Sequence, residues 1–102
     1  MKKKIKQEIE KLIDWNYISK DKELSLDFIR EFQDKVDWNS ISSEQTLSLD
    51  FIREFKNKVY WYNISASQTL SEKFILEFKN KIDWERLEEY QHITKKDIEK
   101  YE

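Results

Sequence analysis

The chain has 102 residues, 39% of them charged, and a net charge of −2. This near-balance gives no electrostatic drive toward nucleic acid and excludes a strongly acidic mimic of it. The chain has no glycine, proline or cysteine, which argues against phosphate-cradling loops, hairpins and long irregular linkers and excludes disulfides and thiolate chemistry.

The chain opens on Lys2, Lys3, Lys4 and Lys6 around Ile5 and Ile9. There is no apolar segment behind these lysines, so they do not read as a secretory leader. Asp14 is then placed as an N-cap, and Ile13 and Ile18 flank it as a hydrophobic staple, so a short helix is expected from Trp15. A longer helix is expected over Leu24–Val36. Ser25 caps it, Asp27 suits its dipole, Leu24 and Ile29 form the staple, and Phe28, Ile29, Phe32 and Val36 share one face.

The same pair of signals recurs down the chain. Asp37 starts a short helix with Val36 and Ile41 as its staple, and Leu47–Val59 repeats the longer one. The next short helix begins at Tyr60, where Asp14, Asp37 and Asp83 stand elsewhere. Leu70–Ile82 and the Asp83 helix, with Ile82 and Leu87, complete the series. Asn57 and Asn80 near the ends of the longer helices are suited to a left-handed C-cap. The expected lengths are roughly eleven and six residues.

Trp15, Trp38, Trp61 and Trp84 are spaced by 23 residues, and most apolar positions keep that beat. The core is expected to include these tryptophans with Phe28, Phe51, Phe74, Phe32, Phe55 and Phe78. A period of this size marks stacked units that cannot bury their apolar faces alone. One unit contributes about seven core side chains at roughly 1.5–3 kcal/mol each, while ordering costs about 1.5 kcal/mol per residue. Stacking is therefore obligatory. The fold class expected is all-α, a right- or left-curved solenoid of about four two-helix units with polar end caps. Residues 1–102 form one domain with units at 1–23, 24–46, 47–69 and 70–92 and a C-terminal cap at 93–102.

No catalytic, metal or cofactor constellation is present. His92 is the only histidine and lies in a turn with no nucleophile or second base to work with, so His92→Ala is expected to be nearly silent. Glu31–Lys35, Glu54–Lys58 and Glu77–Lys81 read as helix-supporting i,i+4 pairs. Ser19, Ser42 and Ser65, with Gln45 and Gln68, read as recurring turn hydrogen bonds. Tyr60-Trp61-Tyr62 carries the sharpest signal. Tyr60 gives up a capping aspartate and Tyr62 replaces Asn16 and Asn39, so an interior unit gains two interface-prone aromatics. Tyr17 and Arg86, which share a register position, extend this candidate partner-binding face.

The pattern carried by Trp38-Asn39-Ser40-Ile41-Ser42, Gln45, Leu47-Ser48, Phe51-Ile52, Phe55 and Lys58-Val59 resembles a short repeat of hypothetical proteins from bacteriophages, giant viruses and some bacteria. The resemblance spans about residues 13–96. Lys22, Glu88 and Asp97 depart from it. It implies a viral or mobile-element setting and no activity or catalytic residue.

The function expected is a non-enzymatic protein–protein interaction module. Its most concrete form is a small inhibitor of a host defence nuclease complex, similar in kind to anti-CRISPR proteins and acting in the host cytoplasm. The alternative is a nucleic-acid-binding accessory protein using Lys2, Lys3, Lys4 and Lys6. No apolar run is long enough to span a membrane.

Overall fold

The structure is a computed structural model that describes residues 7, 8, 10–21 and 24–102. Eight helices follow in order: α1 (Trp15–Ser19), α2 (Leu26–Glu31), α3 (Trp38–Glu44), α4 (Leu49–Glu54), α5 (Trp61–Ser67), α6 (Glu72–Glu77), α7 (Trp84–Gln91) and α8 (Lys95–Glu99). Residues 10–12 are also helical, and the described residues contain no strand. The tryptophan-led helices α1, α3, α5 and α7 pack on one another in succession, and α6 packs on α8. The result is a rod of 54 × 21 × 19 Å.

Each start is specified locally. Asp14, Asp37 and Asp83 accept the backbone N–H of Tyr17, Asn39 and Arg86. Ser25, Ser48 and Ser71 accept those of Phe28, Phe51 and Phe74. These side chains satisfy donors that a helix start leaves free.

The ends differ from the sequence expectation. α2, α4 and α6 stop at Glu31, Glu54 and Glu77 and are six residues long, not about eleven. Phe32, Phe55 and Phe78 leave the helical region, and the amides of Lys35 and Val36 both return to the Phe32 carbonyl. The indole N–H of Trp38 then takes the freed Gln33 carbonyl at 2.9 Å, and Trp15, Trp61 and Trp84 do the same to Glu10, Lys56 and Lys79. Asn57 and Asn80 are not left-handed; among the described residues only His92 has positive φ, at 59°.

The indole bonds also explain why the tryptophans are half-buried and not enclosed. Each of the first three lies over two phenylalanines; Trp38 is 6.2 Å from Phe51 and 5.1 Å from Phe55. Trp15 with Phe28 and Phe32, and Trp61 with Phe74 and Phe78, repeat the arrangement. Phe51, Phe55 and Phe74 are buried, whereas Phe28, Phe32 and Phe78 are half-buried. The enclosed core is mainly aliphatic: Ile29, Ile52, Ile75 and Ile98 on one helix layer face Ile41, Ile64 and Leu87 on the other.

A buried polar spine joins successive helices. The Gln45 carboxamide donates to the Ser19 and Asp21 carbonyls. Gln68 donates to Ser42 and Gln45, and Gln91 to Ser65 and Gln68. The hydroxyls of Ser19, Ser42 and Ser65 accept the backbone N–H of Asp37, Tyr60 and Asp83. These bonds tie neighbouring helices together and do not close local turns.

The anticipated Glu–Lys pairs are also rearranged. Glu54 and Glu77 pair with Arg30 and Arg53, 24 residues earlier, and Lys58 pairs with Asp34 at 3.2 Å. A rigid guanidinium fork offers two-point contact that a flexible ammonium cannot match. Arg30 and Arg53 also lie 5.4 and 5.3 Å from the ring centroids of Phe51 and Phe74.

At the C-terminal end α7 runs eight residues and stops at left-handed His92, whose amide takes the Glu88 carbonyl. The corresponding carbonyls of Ser42 and Ser65 accept the next glutamine, so this turn closes the spine. A residue with a β-carbon costs about 1–2 kcal/mol in that conformation. His92→Gly is accordingly expected to raise stability by up to about 1 kcal/mol, read as a higher melting temperature. An unchanged or lower melting temperature contradicts this account of the turn.

Thr94 and Asp97 then form a reciprocal capping box at the start of α8. The backbone N–H and hydroxyl of Thr94 hold the Asp97 carboxyl below its ordinary value. A lowered folded value means the contribution is present above the unfolded pKa of about 3.9 and is lost as pH falls through the folded value. Protection of the Thr94 and Asp97 amides, taken relative to their intrinsic exchange, should therefore fall below about pH 4. In an Asp97→Asn variant that acid-dependent step should vanish.

Candidate functional site

The first turn of α5 is the irregular point in an otherwise uniform series. Tyr60 occupies the N-cap in extended conformation and makes no side-chain cap bond. Its backbone N–H still reaches Ser42, so the chain path is kept while the capping carboxylate is given up. Tyr60 and Tyr62 are 52% and 53% exposed, large apolar surface on a helix start.

Tyr62 is held from the next helix. The Arg86 guanidinium on α7 lies 5.2 Å from the Tyr62 ring centroid, a cation–π contact. Glu85 and Glu89 fix that guanidinium at 2.9 and 2.6 Å. Burial lowers the Arg86 pKa, but Glu89, Tyr62, Glu85 and Asp83 outweigh it and hold the value above the ordinary one. The Arg86 Nε is buried without a hydrogen-bond partner. Next to Tyr62, the Asn63 amide donates to the Asn39 carbonyl at 3.1 Å and to the Asn39 side-chain oxygen. The structure thus brings Tyr62 and Arg86 together across α5 and α7, with Tyr60 two residues before Tyr62 at the N-cap of α5. Tyr17 stands apart on α1, which packs on α3 and is 78% exposed at that residue.

Charge is sparse on α3 and α5 compared with the helices around them. α2, α4 and α6 carry the Asp27–Arg30–Glu54 and Asp50–Arg53–Glu77 chains. By contrast α5 has no charged residue and α3 has only Glu44. Their outward positions are Asn39, Ser43, Tyr62, Asn63 and Ala66. Contact surfaces favour this composition: tyrosine supplies area and asparagine and serine supply adaptable hydrogen bonds.

Sequence reading found the tyrosines and Arg86 but did not pair Arg86 with Tyr62. It also missed Gln91, although that residue lies 23 positions after Gln68. The lysines Lys2, Lys3, Lys4 and Lys6 lie outside the described residues. Among the described residues, no three His, Asp or Glu side chains are grouped to hold a metal ion, and no helix is long and apolar enough to cross a membrane. Compared with known proteins, the chain matches no protein-family model, no curated protein and no solved structure.

Proposed function

We propose that the chain is a short solenoid of two-helix units acting without catalysis as a protein-interaction module, with Tyr60 and Tyr62 at the centre of contact. The observation that carries this reading is the helix start at Tyr60: a capping carboxylate is absent at the one position where two exposed aromatics are gained. Loss of a cap costs about 1 kcal/mol, and stability is given up most readily where function gains from it. The charge-poor surface of α3 and α5, with Glu44 its one charged residue, supports the same conclusion, since the centres of protein contacts are depleted in charge. The solenoid description draws on the end-to-end packing of α1, α3, α5 and α7 and on the glutamine spine.

The most concrete form of the proposal is an inhibitor that occludes a host defence complex in the host cytoplasm. It draws on the resemblance of the repeat pattern to phage and giant-virus proteins. Tyr60→Asp tests the reading. The change should restore the cap and raise stability by a few tenths to about 1 kcal/mol. It should also weaken capture of a host partner by about tenfold or more, as expected for a contact anchor. Melting curves and a titration against a partner recovered from nuclease-treated lysate read both halves. Greater stability with unchanged affinity would assign Tyr60 to drift.

A further inference from the structure

We infer that the partner meeting the Tyr60 site presents a short acidic protein segment to it, rich in aspartate and glutamate. This rests on the reading of Tyr60 and Tyr62 as the contact centre and names the chemistry of what they touch. The observation that carries it is a gap in the carboxylates. Of the chain's 102 residues 21 are Asp or Glu, yet none falls within residues 55–71. The next longest such stretch, residues 90–96, is less than half as long. The gap spans most of one unit and arises by replacement at three positions. One unit earlier, Asp34, Asp37 and Glu44 stand where Asn57, Tyr60 and Ser67 stand here. Over the same register Gln33 gives way to Lys56, and Lys35 is kept as Lys58. Residues 32–48 thus set Lys35 against three carboxylates, −2, whereas residues 55–71 hold two lysines and no carboxylate, +2. Residues 78–94 return to −1, with Lys79, Lys81 and Arg86 against Asp83, Glu85, Glu88 and Glu89.

Packing does not demand these replacements, because Asn57, Tyr60 and Ser67 are all exposed. Nor are all the lysines spent on internal pairs. Lys58 has Asp34 at 3.2 Å. Lys81 holds the same register one unit on, and the residue 24 positions before it is the neutral Asn57. Lys56 and Lys81 are exposed and have no ion-pair partner among the described residues. They stand on the turns that lead into α5 and α7, two helices that pack on each other. Ammonium groups, tyrosine hydroxyls and an asparagine amide all donate to carboxylates. Carboxylates on this chain would repel an acidic partner, which gives the three losses one common cause. The width of the gap selects a compact protein segment over a nucleic-acid strand. Acidic stretches bound it on both sides, and a polyanion extended along the 54 Å rod would lie across them.

Hexaglutamate serves as the probe of the acidic segment. Titrated into the full chain at low salt, it should shift amide resonances of residues 56–62 and Lys81, and the shifts should shrink as salt is added. Asn57→Asp combined with Ser67→Glu puts carboxylates back at exposed positions. That protein should keep the parent's circular dichroism and bind hexaglutamate about threefold or more weakly. Lys56→Gln combined with Lys81→Gln should do the same. No shift, or shifts as large around Lys35, Lys95 and Lys96, overturns the inference. So does tighter binding of a 5′-phosphorylated thymidine hexanucleotide, which would make the gap a nucleic-acid contact. Tyr60→Asn restores a cap without adding charge and isolates the tyrosine. Binding weakened by Tyr60→Asn but by neither charge variant leaves the tyrosine contact standing and sinks the acidic partner. Binding weakened by both charge variants but not by Tyr60→Asn supports the acidic partner and sinks the tyrosine centre.

Discussion

Gln68→Ala is expected to bring the folded chain close to unfolding at ambient temperature. The carboxamide of Gln68 is 4% exposed and makes three bonds to backbone. It donates to the Ser42 and Gln45 carbonyls at 2.8 and 2.7 Å and accepts the Leu47 N–H at 3.1 Å. Alanine leaves all three groups buried and unpaired, at about 1–3 kcal/mol each. The total is of the same order as the reserve of about 5–15 kcal/mol typical of a small domain. The melting temperature should fall by at least about 10 °C. Gln68→Glu separates the bonds: it keeps the acceptor toward Leu47 but loses both donations, so it should be nearly as damaging. A fall of only a degree or two in either variant would mean that the spine is not a source of stability.

Phe51→Ala should cost about 3–5 kcal/mol, the usual range for deleting a buried ring. Phe51 is 1% exposed, lies against Trp38 and Phe55, and is covered by Arg30 from the preceding helix pair. Phe28 stands at the same register but is half-buried. Phe28→Ala should therefore cost clearly less, although its sequence surroundings, Leu-Ser-Leu-Asp-Phe-Ile-Arg-Glu-Phe, match those of Phe51 residue for residue. Comparing the two denaturation midpoints isolates what a neighbouring helix pair adds. Equal costs would place the stabilisation inside each helix pair and not between pairs.

That contrast also marks how much was legible in the sequence. Helix starts were readable because Asp14, Asp37, Ser25 and Ser48 bond to amides two or three residues away. The aliphatic core was readable because helix geometry puts Ile29 and Ile52 on a fixed face. The end of α2 was not, because it depends on an indole five residues beyond Gln33 that competes for its carbonyl. Likewise Glu54 has Lys58 within reach on its own segment and Arg30 24 residues away, and only the packed structure shows the arginine winning. The tyrosine site was found by a departure from local capping rules. Its bond to Arg86 escaped because register alone does not say which neighbour a side chain leans toward.

The spine has a consequence for how the protein is made and taken apart. Its bonds join residues only 18 to 26 positions apart. No contact in it waits for the far end of the polypeptide. As the chain leaves the ribosome, each glutamine can dock once the serine and carbonyl behind it have settled, so assembly can follow translation unit by unit after the first two units have emerged. Pulling from the C-terminus should run this in reverse, peeling one glutamine at a time and giving a sawtooth of small steps in place of a single rupture.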